Sequence, residues 1–146
     1  MRDLSPHEYR ALAEFRYQIR NFLHFSEEQV RDHGLEPQQH QLLLAIKGLP
    51  DGAVASIGEL AARLRLKHHS VVELIDRLEK HNYVVRETSS EDRRQVLVRL
   101  TAAGGSVLRK LSVAHHQELE TAGPELAKAL RSLARQHRIR RRRSAA

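Results

Sequence analysis

The sequence predicts a mainly α fold with one small β-hairpin. Three observations lead there. Apolar residues recur at the helical period over six stretches of the chain. Between residues 83 and 100 the period changes to two, the spacing of a half-buried strand. The breaks fall at turn residues: His33-Gly34, Leu49-Pro50-Asp51-Gly52 and Gly123-Pro124. A chain of 146 residues has room for one compact domain, or one domain with appended helices. Only 4% of residues are aromatic, so a core drawn from the 40% that are hydrophobic is built mainly of Leu, Val, Ile and Ala.

Residues 7–32 read as a long amphipathic helix, with Tyr9, Leu12, Phe15, Ile19, Phe22 and Val30 at helical spacing. Gly34 supplies its left-handed cap. Pro37 suits the first position of a second helix, which carries Leu42, Leu43, Leu44 and Ile46 and ends at Gly48. Ser56-Ile57-Gly58-Glu59 reads as a capping box opening a short helix over 57–64. A fourth helix spans 68–81, with Val71, Leu74, Ile75 and Leu78 as its buried stripe. His68, His69, Val72, Glu73, Asp76 and Arg77 form its opposite face, and Asp76 is expected to pair with a basic side chain. Asn82 tolerates the left-handed turn that follows. Tyr83 to Glu87 and Gln95 to Leu100 read as strands, joined by the charged tip Thr88 to Arg94. Thr101 caps a helix over 102–121, in whose first turns Gly104-Gly105 lowers helix propensity. Gly123-Pro124 is expected to break the chain before a last helix over 125–137.

The helices at both ends carry more apolar stripe than the thin middle segment could cover, so a symmetric dimer is expected. The resulting organisation is an N-terminal dimerisation helix over 1–35, a helix-turn-helix with a β-wing over 36–101, C-terminal dimerisation helices over 102–137, and a frayed, disordered basic tail over 138–146. The net charge of +7 points to a polyanion, but residues 138–146 hold five arginines and no acid, so most of the charge lies in that tail. The absence of cysteine excludes disulfides, thiolate metal sites and cysteine redox sensing. The apolar runs are far too short for a membrane span, and residues 1–6 lack a signal-peptide core, so a cytoplasmic protein is expected.

A helix in the major groove reads base edges with its N-terminal residues. Here those are Lys67, His68, His69 and Ser70, with Val72 and Glu73 on the outward face and Arg77 placed for phosphate. Two adjacent arginines at a hairpin tip have the reach to enter a narrow minor groove. Asp92 beside them can orient one guanidinium through a bidentate pair. Arg86, Asp92, Arg93 and Arg94 are the wing's candidates for DNA binding.

Ser56 to Ala61, Val71 to Leu78, Tyr83-Val84-Val85-Arg86, Asp92-Arg93-Arg94 and Val98 to Gly104 together resemble the MarR family of bacterial winged-helix transcriptional regulators. The resemblance covers roughly residues 8–137 and is strongest over 56–104. It implies a winged helix-turn-helix flanked by N- and C-terminal dimerisation helices, and a homodimer on a pseudo-palindromic operator in double-stranded DNA. It places the recognition helix at 68–81, the wing pair at Asp92 and Arg94, and the minor-groove contact at Arg94. It also raises a small aromatic or phenolic effector, for which Tyr9, Arg16, Tyr17 and His40 are candidates by location alone.

No metal or other cofactor is expected. Ten histidines are present, but the pairs His68-His69 and His115-His116 point about 100° apart on a helix and do not chelate one ion. The chain has no phosphate loop, nucleophile elbow or zinc-protease motif, so an enzyme is not expected. The expected function is a DNA-binding regulator, a repressor. The rival readings are a winged-helix module that binds a protein partner and a non-specific DNA-binding protein using the arginine tail.

Overall fold

The computed structural model describes residues 3–144, with side chains described through residue 135. The elements in order are α1 (Pro6–Asp32), α2 (Pro37–Lys47), α3 (Ile57–Leu64), α4 (His68–Lys80), β1 (Val84–Thr88), β2 (Val96–Leu100) and α5 (Ala102–Ser144). The mainly helical chain with one antiparallel hairpin is the expected fold class. Two compact units divide it. One runs from Gln29 to Ser112; the other comprises the residues up to Glu28 and those from Val113 onward.

Local chemistry sets most helix ends. α1 begins at Pro6 because Ser5 and Glu8 close a reciprocal cap. The Ser5 N–H donates to Glu8 Oε2 at 2.8 Å and the Glu8 N–H to Ser5 Oγ at 3.3 Å. Three helices end in the same way. Gly34, Arg65 and Asn82 adopt positive φ after α1, α3 and α4. The next N–H then reaches back across the last turn: Leu35 to the Val30 carbonyl, Leu66 to Ala61, Tyr83 to Leu78. At Gly34 this costs little; at Arg65 the side chain crowds its own backbone.

The middle unit holds a continuous aliphatic core. Leu42 and Leu43 of α2, Leu60 of α3, and Val71, Leu74, Ile75 and Leu78 of α4 meet Val84, Val98, Leu108 and Leu111. The whole expected stripe of α4 is therefore buried. β1 pairs with β2 in the register Val84↔Leu100 to Thr88↔Val96. A bridge between Ser56 and Leu97 adds a short third edge, and the Val98 N–H donates to the Ala55 carbonyl at 2.9 Å. Thr101 caps α5 through its hydroxyl, which accepts from the Gly104 N–H at 3.0 Å. Gly104 is buried against Tyr83, and a Cβ there would overlap the Tyr83 carbonyl.

In the other unit, His115 lies between the edges of Phe22 and Phe25, each with its ring centroid 6.1 Å away. Burial lowers the His115 pKa below its ordinary 6.5, only partly offset by a hydrogen bond to the Ser26 backbone. Tyr9, Leu12, Tyr17 and Leu23 of α1, with Val113, Leu119 and Leu130 of α5, remain exposed.

Two expectations are corrected. α5 is one helix, with Pro124 inside it and no break at Gly123-Pro124. The proline forfeits one backbone hydrogen bond, but Leu126, Ala127, Lys128 and Ala129 beyond it are strong helix formers. The backbone also stays helical through the arginine run to Ser144, where a frayed tail was expected, since arginine favours helix. The side chains of that run, and residues 145–146, lie outside the described residues.

Candidate nucleic-acid interface

The helix-turn-helix is built by α3, the Arg65-Leu66 turn and α4. Ser56 caps α3, its Oγ accepting from the Glu59 N–H at 3.2 Å. The reciprocal half of the expected capping box does not form: the Ser56 N–H donates to the Val54 carbonyl and Glu59 turns to Arg63 at 2.8 Å. Lys67 stands at the N-cap of α4 without a side-chain cap, and the first turn contains no acid. That end of the helix presents unmatched N–H groups and the positive end of the helix dipole. Lys67, His68, His69, Glu73 and Arg77 are exposed, and Ser70 and Val72 are half-buried. The residues expected to read DNA thus share the outward face of α4, opposite its buried stripe.

The wing tip is held by its own short hydrogen bonds. The Ser89 N–H donates to the Gln95 carbonyl at 2.9 Å and the Gln95 N–H to the Asp92 carbonyl at 3.0 Å. Ser89, only 7% exposed, accepts from the Glu91 and Asp92 N–H groups at 3.3 Å. Asp92 Oδ1 accepts from the backbone N–H of Arg94 at 2.9 Å. This revises the role expected for Asp92. Its carboxylate shapes the turn that carries Arg94, and among the described residues no guanidinium pairs with it. Arg93 and Arg94 are exposed, and neither side chain has an ion pair among the described residues.

An open groove of about 490 Å³ joins the two halves of this surface. It is lined by Ser56, Ile57 and Gly58 at the start of α3, His68 of α4, and Asp92, Arg94, Gln95 and Val96 of the wing. Gln95 and the start of α3 are additions to the expected set. No local signal marks either as part of this groove, because only the fold brings them beside His68.

Arg86 departs most from expectation. Its Nη1 meets Glu79 Oε2 and its Nη2 meets Asp76 Oδ1, each at 2.5 Å. The Arg86 backbone N–H also donates to Glu79 Oε1 at 3.1 Å. Partial burial opposes the charged guanidinium. The hydrogen bond to Asp76 and the charges of Glu79 and Asp76 outweigh it and raise the Arg86 pKa. Arg86 is therefore occupied within the protein and is not a free DNA contact in this structure. It supplies the basic partner expected for Asp76.

The effector candidates do not form one constellation within either unit. Tyr9 (60% exposed), Arg16 and Tyr17 (56%) belong to the unit that runs up to Glu28 and on from Val113, while His40, 2% exposed, is buried in the Gln29–Ser112 unit. Among the described residues, no group of three His, Asp or Glu is placed to hold a metal ion. No described helix is long and apolar enough to cross a membrane.

A sequence model of the MarR family matches residues 33–95. The uncharacterized HTH-type transcriptional regulator YkoM of Bacillus subtilis is 32% identical over 109 residues, covering 73% of this chain and 69% of that protein. The crystal structure of AbsC, a MarR family transcriptional regulator from Streptomyces coelicolor, superposes with a TM-score of 0.71 at 24% identity, over 94% of this chain and 99% of its own. The transcriptional repressor CouR, bound to a 23-mer DNA duplex, matches with a TM-score of 0.63 at 28% identity, over 83% of this chain and 86% of its own. These relatives are regulators, not enzymes. The helix-turn-helix, the hairpin with its arginine tip and the matched sequence agree: the chain belongs to the MarR family of transcriptional regulators.

Proposed function

We propose that this regulator is a cytoplasmic repressor that binds a pseudo-palindromic operator as a homodimer. α4 enters the major groove and the wing places Arg94 in the adjacent minor groove. Lys67, His68, His69, Ser70, Val72 and Glu73 face base edges, and Arg77 faces phosphate. The observation that carries this reading is the state of Arg94. It is exposed, without an ion pair among the described residues, and held on a turn closed by Ser89 and Asp92. The likeness to CouR, a repressor bound to a DNA duplex, supports the repressor reading. The exposed apolar side chains of α1 and α5 support the dimer. In a dimer the two half-sites stand one helical turn apart, about 34 Å.

The test is a mobility shift with fragments surrounding the protein's own gene. At least one should outcompete random DNA, and failure of every fragment would remove the specific-regulator reading. Arg94→Ala should weaken binding by about 1–3 kcal/mol while the dimer persists in sedimentation. Truncation after His137 should reduce non-specific affinity and leave sequence preference; loss of all binding would make the arginine run the binder. A small aromatic or phenolic acid is the effector class proposed from family membership, and a thermal-shift series with such acids tests it.

A further inference from the structure

The clamp on Arg86 has a geometry that surface ion pairs rarely reach. Asp76 and Glu79 stand three residues apart on one side of α4, the helix proposed to read DNA. Arg86 is the middle residue of β1, opposite Val98 on β2. Glu79 uses both carboxylate oxygens on it, one for the guanidinium and one for the backbone N–H. That N–H is on the open edge of a two-stranded ribbon, where a donor otherwise faces water. Asp76 takes the other arm of the guanidinium fork. A planar fork held at both ends fixes orientation as well as distance.

A two-stranded hairpin has little rigidity of its own. Its tip, with Arg94, lies beyond Thr88, so a small rotation of β1 about α4 moves the tip through a large arc. We infer that Arg86 is a positioning residue for Arg94: it locks the wing to the recognition helix and so sets where the minor-groove arginine stands. The inference rests on the DNA-binding reading above and assigns Arg86 a role other than direct phosphate contact. A displacement of about 1 Å at a positioned group is costly, so loosening the lock should be felt at the tip although the tip is untouched.

The experiment is a double-mutant cycle on a duplex recovered by in vitro selection with the wild-type protein. Affinities are measured for wild type, Arg86→Met, Arg94→Ala and the double variant, each checked for a native melting transition. Arg86→Met should weaken binding about tenfold in the wild-type background and only about twofold when Arg94 is already alanine. Its salt slope should stay that of wild type, whereas a lost phosphate contact would reduce the slope by about one. Asp76→Asn gives an independent reading in a variant that keeps Arg86. Removing a carboxylate from a DNA-facing helix would tighten binding if charge alone mattered; as part of the lock its loss should weaken it. Equal Arg86→Met effects in both backgrounds, a reduced salt slope, or tighter binding by Asp76→Asn would each overturn the inference. Recovery of no duplex above the random background would instead remove the DNA-binding reading itself, and the inference with it.

Discussion

The segment from Gln29 to Ser112 and the segments on either side of it treat their apolar residues in opposite ways. The first collects leucines, valines and an isoleucine from α2, α3, α4, both strands and the start of α5 into one buried core. In the second, the buried apolar residues among those described are Ala11 and Ala129, while Tyr9, Leu12, Tyr17, Leu23, Val113, Leu119 and Leu130 remain exposed. Apolar residues recur at helical spacing in both, and the two differ in what those residues meet. A short helix folded back by tight turns finds a neighbour within its own unit. The two long outer helices leave a face that a second copy can cover. The middle unit is therefore expected to hold its shape by itself, and the outer helices to gain order through association.

The largest effect should come from breaking the self-contained side of this contrast. Gly104→Ala places a Cβ against the Tyr83 carbonyl, which is backbone and cannot swing aside. The cost should be at least about 3 kcal/mol, read as loss of cooperative unfolding or a large fall in the denaturation midpoint. A mild effect would mean that the α5 start is less tightly docked than described. Next, Leu12→Glu combined with Val113→Glu should weaken self-association by roughly 1.5–3 kcal/mol per site, seen by sedimentation. Circular dichroism should show the helices of the middle unit intact. An unchanged association state would break the comparison.

Smaller changes sharpen it. Arg65 spends a left-handed conformation on an L side chain, so Arg65→Gly should stabilise the middle unit by up to about 1 kcal/mol in urea titrations. The smallest effect belongs to the outer unit and depends on pH. His115 is held neutral by burial, and its pKa is depressed in the fold. Between that lowered value and 6.5 the unfolded chain binds more protons than the folded one. Stability is thus fully present above 6.5 and declines as pH falls below it. In His115→Leu the melting temperature should lose that part of its acid dependence; an unaltered pH profile would show that His115 does not carry it.

Much of the fold was legible in the sequence because its signals are local. The α4 stripe, the cap at Thr101 and the left-handed turns at Gly34 and Asn82 follow from residue type and spacing, and all take the expected form. The tip arginines were legible as well, since a charged turn between two alternating strands has nowhere to go but solvent. Other features required partners distant in the chain. Gly104 counts by residue type only as a weak helix former. Nothing near it in sequence reveals that Tyr83 passes against it. Gly123-Pro124 carries a strong local signal for a break, yet the helix continues through it.

The sequence by itself determined the order of the elements up to the start of α5, the buried stripe, the position of α4 and the family. These rest on periodicity, backbone preferences and residue chemistry over a few neighbouring positions. Only the tertiary structure decided what the charged side chains do. Arg86 and Arg94 are the same residue type on the same hairpin. One is gripped by Asp76 and Glu79, while the other stands exposed at the tip. A charge is free or occupied according to which carboxylate the fold brings within about 3 Å. That distance is settled by the packing of β1 against α4.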